Sequence, residues 1–132
     1  MTDRMGDETI EQAADRAAAA GDFVGARTML ERAVEADGSS HGLWMKLSAM
    51  RKASGDLKAA LAAIDRALAI SPLDFPSLLS RAVILDQLGD PSAGEEFGNA
   101  LAQLPPGDEA ERVWHAPIAH ARKRRDEHRR AL

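Results

Sequence analysis

Apolar side chains recur along this chain with the spacing of one helix face. A spacing of i, i+3, i+4 and i+7 places residues on the same side of an α-helix. The clearest stretch contains Leu57, Ala60, Leu61, Ile64, Ala67 and Leu68. Another such stretch, Leu43–Arg51, comes just before it, and Gly55-Asp56 separates the two. The pattern therefore predicts two helices joined by a short glycine-containing turn.

This helix pair occurs more than once. Gly21-Asp22, Gly55-Asp56 and Gly89-Asp90 follow each other at intervals of 34 residues, with a helical pattern on each side. Helix breakers close the units at Gly38, Pro72 and Pro105-Pro106. Self-similarity at a fixed period of this length is typical of helical repeat proteins. The predicted helices cover 9–20, 23–36, 41–53, 57–70, 75–88, 92–103 and 109–130.

The repeat resembles the tetratricopeptide repeat (TPR), a 34-residue helix–turn–helix unit. The match is best in the second repeat, through Trp44, Leu47, Ser48, Ala60, Ile64, Ala67 and Pro72. The third repeat fits if one residue is missing after Gly89-Asp90, so that Ala93, Phe97 and Ala100 fall in register. The resemblance implies an all-α, right-handed superhelix of three helix pairs with a C-terminal capping helix. Its predicted parts are a flexible segment 1–6, repeats 7–40, 41–74 and 75–107, and a cap 108–132.

Small residues at the repeat positions predict close contact between the two helices of each pair. Lines of Ala and Ser would allow this approach, and large side chains would fill the space between repeats. Trp44 and Trp114 are both expected in the core. In the cap we expect a kink near Pro117, because proline is unfavourable inside a helix. The apolar stripe expected to cover the third repeat contains Val113, Trp114, Ile118 and Ala121.

Composition and charge narrow the function classes. The chain has 132 residues, no Cys and a net charge of −4, which predicts one globular domain without disulfides or thiolate metal sites. The acidic balance argues against nucleic-acid binding, and the apolar runs are too short for a membrane span. The polar first residues do not resemble a signal peptide, so we expect a cytoplasmic location. The basic segment Arg122–Arg130 is interrupted by Asp126 and fits a solvated end of the capping helix.

No arrangement of residues predicts catalysis. The four His residues lack metal-ligand spacing, and Gly94 and Gly98 lie within a predicted helix, where a phosphate-binding loop is excluded. We therefore expect no enzymatic activity, no cofactor and no metal.

In the TPR family, the first helices of the repeats line a concave groove that binds peptides, and the resemblance implies the same here. The groove positions correspond to Glu8, Glu11, Asp15, Met45, Ala49, Lys52, Leu79, Val83, Asp86 and Gln87. Their chemistry predicts a protein or peptide partner with basic and aliphatic residues. TPR co-chaperones that hold an acidic C-terminal tail use Lys and Asn where this chain has Glu11 and Asp15, so that carboxylate clamp is absent.

Two hypotheses about function remain open from the sequence. The first is an interaction module that is monomeric or associates weakly with itself through its basic tail. The second is the N-terminal TPR region of a larger enzyme, since bacterial aspartyl/asparaginyl β-hydroxylase-like 2-oxoglutarate oxygenases are similar in this part. Continuation of the reading frame beyond Leu132 would distinguish them.

Overall fold

The computed structural model describes residues 8–132, and within them all regular structure is α-helical. The first six helices agree with the predicted bounds to within one residue at each end. The predicted flexible segment 1–6 lies outside the described residues. The helices are α1 (Ile10–Ala19), α2 (Phe23–Ala36), α3 (His41–Ala53), α4 (Leu57–Ile70), α5 (Phe75–Gln87), α6 (Ala93–Ala102), α7 (Asp108–Val113) and α8 (His115–Ala131).

The three Gly-Asp pairs form the same turn at the end of a helix. Each glycine has a positive φ of 75–86°, a conformation that side chains with a Cβ rarely adopt. The aspartate that follows donates its backbone N–H to the carbonyl five residues earlier, which closes the preceding helix. At Asp22 the side chain also accepts from the N–H of Gly25 at 2.9 Å and so caps the next helix. The 34-residue recurrence is therefore the recurrence of one turn geometry.

The third turn accounts for the shift in repeat register. Asp90 Oδ1 accepts from the backbone N–H of Ser92 at 2.8 Å, two residues on, instead of capping three residues on. The helix α6 starts at Ala93 after this tighter turn. Ala93, Phe97 and Ala100 are fully buried, as the shifted alignment predicts.

The chain divides into two compact units, one ending at Ile70 and the other comprising Ser71–Leu132, although its length predicts a single domain. In repeat proteins each unit contacts only its neighbours, so a single central core does not form. In the first unit α3 packs against both α2 and α4, and Leu30 and Leu47 lie in its core. The small side chains do line a close contact, because the Ser48 hydroxyl donates to the Ala60 carbonyl at 2.8 Å.

The prediction that Trp44 lies in the core is wrong. Its ring packs against the core cluster of the first unit but remains half-buried. Its indole Nε1 donates to the Gly38 carbonyl at 2.8 Å, and the Arg66 guanidinium lies 4.8 Å from the ring centroid. An indole N–H needs an acceptor when it leaves water, and here the acceptor is found at the edge of the core.

In the second unit α5 pairs with α6, and α8 packs against α6. Ile118 and Ala121 on α8 are fully buried, as predicted. A glycine brings the far end of α8 close to α6, since a Cβ added at Gly94 would lie 2.4 Å from the Cβ of His128. The close approach therefore depends on the absence of a side chain at this position.

The capping segment breaks earlier than expected. The first of its two helices ends at Val113, and Trp114 has φ −114° and ψ 33°, so the break lies three residues before Pro117. Pro117 sits in the first turn of α8, where its missing N–H has no intrahelical acceptor to lose. Because the chain turns here, Val113 is 63% exposed and Trp114 is only half-buried. Both were predicted to cover the third repeat. That prediction is wrong for Val113, whereas Trp114 contacts Phe75 of the third repeat but stays partly exposed.

Candidate functional site

The predicted groove residues lie on the first helix of each repeat. In the first unit, α1 carries Glu11 and Asp15, with Glu8 just before it, and α3 carries Met45, Ala49 and Lys52. In the second unit, α5 carries Leu79, Val83, Asp86 and Gln87. The surroundings of the two sets differ.

A lysine joins the acidic residues of α1 to α3. The Lys46 ammonium lies 2.6 Å from Glu11 Oε2 and 2.8 Å from Asp15 Oδ2. Hydrogen bonds to Asp15, and then to Glu11, raise the pKa of Lys46 above its usual value. All three side chains are at least one-third exposed, so solvent screens the attraction. Two of the three acidic groove residues predicted in the first unit are therefore already paired with a cation of the same chain.

The third acidic residue is paired as well. The Arg16 guanidinium donates from Nε to Glu8 Oε2 at 3.1 Å, and the hydrogen bond to Glu8 raises the pKa of Arg16. We call Glu8, Glu11, Asp15, Arg16 and Lys46 the α1 ion cluster. Its three carboxylates and two cations give it a formal charge of −1. Sequence reasoning missed Lys46 because it lies 31 residues from Asp15.

The exposed part of α3 is small and mostly apolar. Ala49 is exposed, while Met45 and Lys52 are half-buried. The opposite side of the helix is occupied by the core, where Leu47 and Ser48 are buried. A small side chain next to a flexible thioether forms a surface that can adapt to different apolar groups.

On α5 the predicted residues have unequal access. Leu79 is 9% exposed and belongs to the core, so it offers little surface to a ligand. Val83 is half-buried and Gln87 is exposed. The apolar strip expected on this helix is therefore narrower than the sequence suggested.

Asp86 is held by two side chains of α8. The Arg124 guanidinium donates from Nε to Oδ2 at 2.7 Å and from Nη2 to Oδ1 at 2.9 Å. His128 Nε2 lies 2.9 Å from the same Oδ1. The hydrogen bonds from Arg124 are the main cause that lowers the pKa of Asp86 to about 2. Nothing in the sequence indicated this contact of His128, because its partner is 42 residues away.

Other kinds of site find no support in residues 8–132. Among them, no three His, Asp or Glu side chains are grouped so that they could hold a metal ion. None of the described helices is both long enough and apolar enough to cross a membrane.

The comparisons with known proteins rest on structure. No protein-family model matches this sequence, and no curated protein does. The Yersinia enterocolitica type III secretion chaperone SycD, in complex with a peptide of the translocator YopD, is similar with a TM-score of 0.82 at 14% identity, covering 96% of this chain and 97% of that one. Pseudomonas aeruginosa PcrH, in complex with the chaperone binding region of PopD, gives 0.80 at 18% identity, covering 98% and 96%. The first TPR of Spaghetti (RPAP3), bound to the HSP90 peptide SRMEEVD, gives 0.70 at 13% identity, covering 86% and 88%.

The chain has the TPR fold. The helical repeat expected from the 34-residue period is thereby confirmed. Similarity at these identities concerns the fold alone. The resemblance to the β-hydroxylase-like enzymes stays a prediction.

Proposed function

We propose that this chain binds a peptide segment of a partner protein on the faces that the first helices of its repeats expose, and that it has no catalytic activity of its own. The fold supports this proposal, because the similar structures of SycD, PcrH and RPAP3 each contain a peptide of another protein. We extend this mode of binding to the present chain. The fold by itself does not determine function, which depends on the side chains that the helices expose.

The exposed face of α3 is the observation that carries the proposal. Packing against α2 and α4 occupies the other sides of this helix. On the exposed side of α3, Ala49 is open to solvent, with Met45 and Lys52 partly accessible beside it. An apolar strip between charged groups can bury aliphatic side chains of a peptide and orient it through its polar neighbours.

The α1 ion cluster indicates the charge of the partner. Its net charge is −1, and both carboxylates bound by Lys46 remain partly exposed, so each has lone pairs left for another cation. We propose a partner segment with aliphatic residues for α3 and a Lys or Arg near Asp15. An acidic peptide tail of the HSP90 type is not expected, since Glu11 and Asp15 replace the cationic and amide groups of the carboxylate clamp.

We further propose that the protein acts in the bacterial cytoplasm as a monomer or with weak self-association. The absence of cysteine agrees with a reducing compartment. The pairing of Arg122, Arg124 and Arg125 with carboxylates of the same chain reduces the part of the basic tail that could bind a second molecule.

Selection of peptides followed by matched substitutions tests the proposal. Peptides would be selected from a displayed random library on the natural chain, and their affinities measured by calorimetry. Ala49→Arg places a large cation on the exposed face of α3. Ala62→Arg makes the same change at an exposed alanine of α4, in the second helix of the same repeat.

We expect Ala49→Arg to weaken binding of the selected peptides about tenfold or more, which corresponds to ~1.4 kcal/mol. Ala62→Arg should leave the affinity unchanged, and both variants should keep the helical circular dichroism of the natural chain. Equal affinities for Ala49→Arg and the natural chain would show that peptides bind elsewhere. Failure to select any peptide that binds saturably would contradict the proposal as a whole.

A further inference from the structure

A second candidate surface lies in the unit Ser71–Leu132. A cleft of about 330 Å³ opens between the connection that precedes α7 and α7 itself. We call it the Pro–Trp cleft. It is lined by Pro105, Pro106, Glu109, Ala110, Val113 and Trp114.

The walls of this cleft are apolar and accessible. Val113 is 63% exposed, although it was expected to be covered. Trp114 rests one face on the buried ring of Phe75, with centroids 5.3 Å apart and planes tilted by 47°. Contact with Phe75 thus holds one side of the indole, while another part of the ring remains accessible to a ligand.

The indole Nε1–H of Trp114 is a further group that can bind a ligand, as a hydrogen-bond donor. The indole Nε1 of Trp44 is used within the fold, since it donates to Gly38. The Nε1 of Trp114 has no acceptor among residues 8–132, and it does not occur among their buried unsatisfied polar atoms. A tryptophan with one apolar face and a free N–H is suited to bind a peptide carbonyl.

The other wall is rigid. The pyrrolidine rings of Pro105 and Pro106 fix their φ angles, and Gly107 follows with a φ of +98°. A surface held in one conformation before binding loses little entropy when a ligand arrives. The cleft is therefore preformed on both sides.

Negative charge borders the cleft. Glu109 lines it, and the exposed Asp108 is next to it in the sequence. Within the described part of the chain, neither carboxylate takes part in an ion pair, whereas Glu111 is bound by Arg122 at 2.6 Å. Arg112 is the cation of α7, so this helix carries three carboxylates and one cation. A positively charged ligand group is favoured near Glu109.

From these observations we infer that the Pro–Trp cleft is a docking site for an extended, proline-containing segment of a partner that carries Arg or Lys. Such a segment adopts the polyproline II conformation, whose backbone carbonyls make no internal hydrogen bonds. Its prolines would pack between the Trp114 ring and Pro105-Pro106, and one carbonyl would accept from Trp114 Nε1. The basic residue would lie against Glu109. Aromatic-lined grooves recognise proline-rich segments by this combination of contacts.

Fluorescence anisotropy with the full chain tests the inference. The probe is a fluorescein-labelled peptide, Ala-Pro-Pro-Leu-Pro-Arg-Ala. One control peptide has alanine in place of the three prolines, and another has Gln in place of Arg. We expect the probe to bind saturably below about 1 mM, the affinity range of weak specific complexes. We expect each control peptide to bind several-fold more weakly.

Matched variants locate the site. Val113→Ser should weaken the probe about fivefold, while Val24→Ser, at a similarly exposed valine of α2 (57%), should have no effect. Trp114→Phe keeps an aromatic ring against Phe75 but removes the N–H, and should weaken binding about threefold or more. Glu109→Gln should weaken it about twofold at low salt and have no effect at about 0.5 M salt.

Several results would overturn the inference. These are no saturable binding by about 1 mM, equal binding of the peptide without proline, or equal affinity for Val113→Ser and the natural chain. Ala49→Arg should bind this probe normally, which separates the cleft from the face of α3. Loss of probe binding in Ala49→Arg would move the site to that face and contradict the assignment to the cleft.

Discussion

Acidic side chains on a first helix meet cations in both units of this molecule, and the two clusters differ in burial. In the first unit, the Lys46 side chain is 37% exposed and its partner Asp15 is 57% exposed. In the second unit, Asp86 is 14% exposed and Arg124 is 32% exposed. The lysine contacts two carboxylates as a point charge, whereas the arginine binds Asp86 through two parallel hydrogen bonds and also donates to Glu127 at 2.9 Å.

Acidic residues on the first helices of the two units therefore form ion pairs with different roles. Exposed ion pairs contribute little to stability, so we expect the main effect of the α1 ion cluster to be on the charge presented to the proposed partner. The cluster around Asp86 connects α8 to α5, and within it the hydrogen bonds from Arg124 lower the pKa of the Asp86 carboxyl group to about 2. It is therefore part of the structure of the second unit more than of a binding surface.

The largest change in stability is expected from a substitution that disturbs the packing of α8 against α6. A Cβ at Gly94 would lie 2.4 Å from His128 Cβ, while a Cβ at Gly98 would lie 3.8 Å from Arg125 Cδ, an ordinary contact. We expect Gly94→Ala to lower the free energy of unfolding by about 1–3 kcal/mol, because α8 must move and His128 leaves Asp86. The control Gly98→Ala should be neutral or stabilising by up to about 1 kcal/mol. Urea unfolding followed by circular dichroism measures both, and equal stabilities would mean that α8 does not need the glycine.

A smaller effect is expected when the charge of Asp86 is removed. Above about pH 4 the carboxyl group is ionised in both the folded and the unfolded chain, and Arg124 stabilises the ionised form in the folded one. Between about pH 4 and pH 2 the unfolded chain takes up this proton before the folded chain does, so stability falls as the pH falls. Since Arg124 is partly exposed and solvent screens the pair, we expect Asp86→Asn to cost about 1 kcal/mol at neutral pH.

Unfolding free energies of the natural chain and Asp86→Asn, measured at several pH values, isolate this contribution from that of the other carboxylates. The two curves should converge between about pH 4 and pH 2. A constant difference down to about pH 2 would show that hydrogen bonding geometry, and not ionisation, is what the substitution removes.

The smallest effect is expected in the α1 ion cluster. Lys46→Met keeps the length of the side chain and removes the charge, and should change the free energy of unfolding by less than about 0.5 kcal/mol, because all the partners are exposed. It should also strengthen the binding of a basic partner peptide at low salt, since two carboxylates lose their internal cation. Thermal unfolding and calorimetry at two ionic strengths check both points. A loss of stability as large as that of Asp86→Asn would remove the distinction between the two clusters.

The sequence was sufficient for the helices because their signals are local. A glycine with positive φ followed by a capping aspartate ends one helix and starts the next within a few residues, so the six repeat helices could be placed to within one residue. The break at Trp114 was not predicted. Pro117 is recognisable from the sequence as a helix breaker, whereas the non-helical backbone angles of Trp114 are known only from the structure. The exposure of Val113 follows from that break and was missed with it.

By itself, the sequence determined the repeat, the turn chemistry and the small residues that allow close helix contact, such as Ala60 and Ala93, which are fully buried. Which charged side chains form ion pairs with each other, in contrast, depends on the tertiary structure. Lys46 and Asp15 are 31 residues apart, and Arg124 and Asp86 are 38 residues apart. Helical periodicity tells which side of its own helix a residue occupies, whereas a contact between helices also depends on their packing. For this reason the charge of the α1 ion cluster, the anchoring of α8 and the Pro–Trp cleft emerged only from the folded chain.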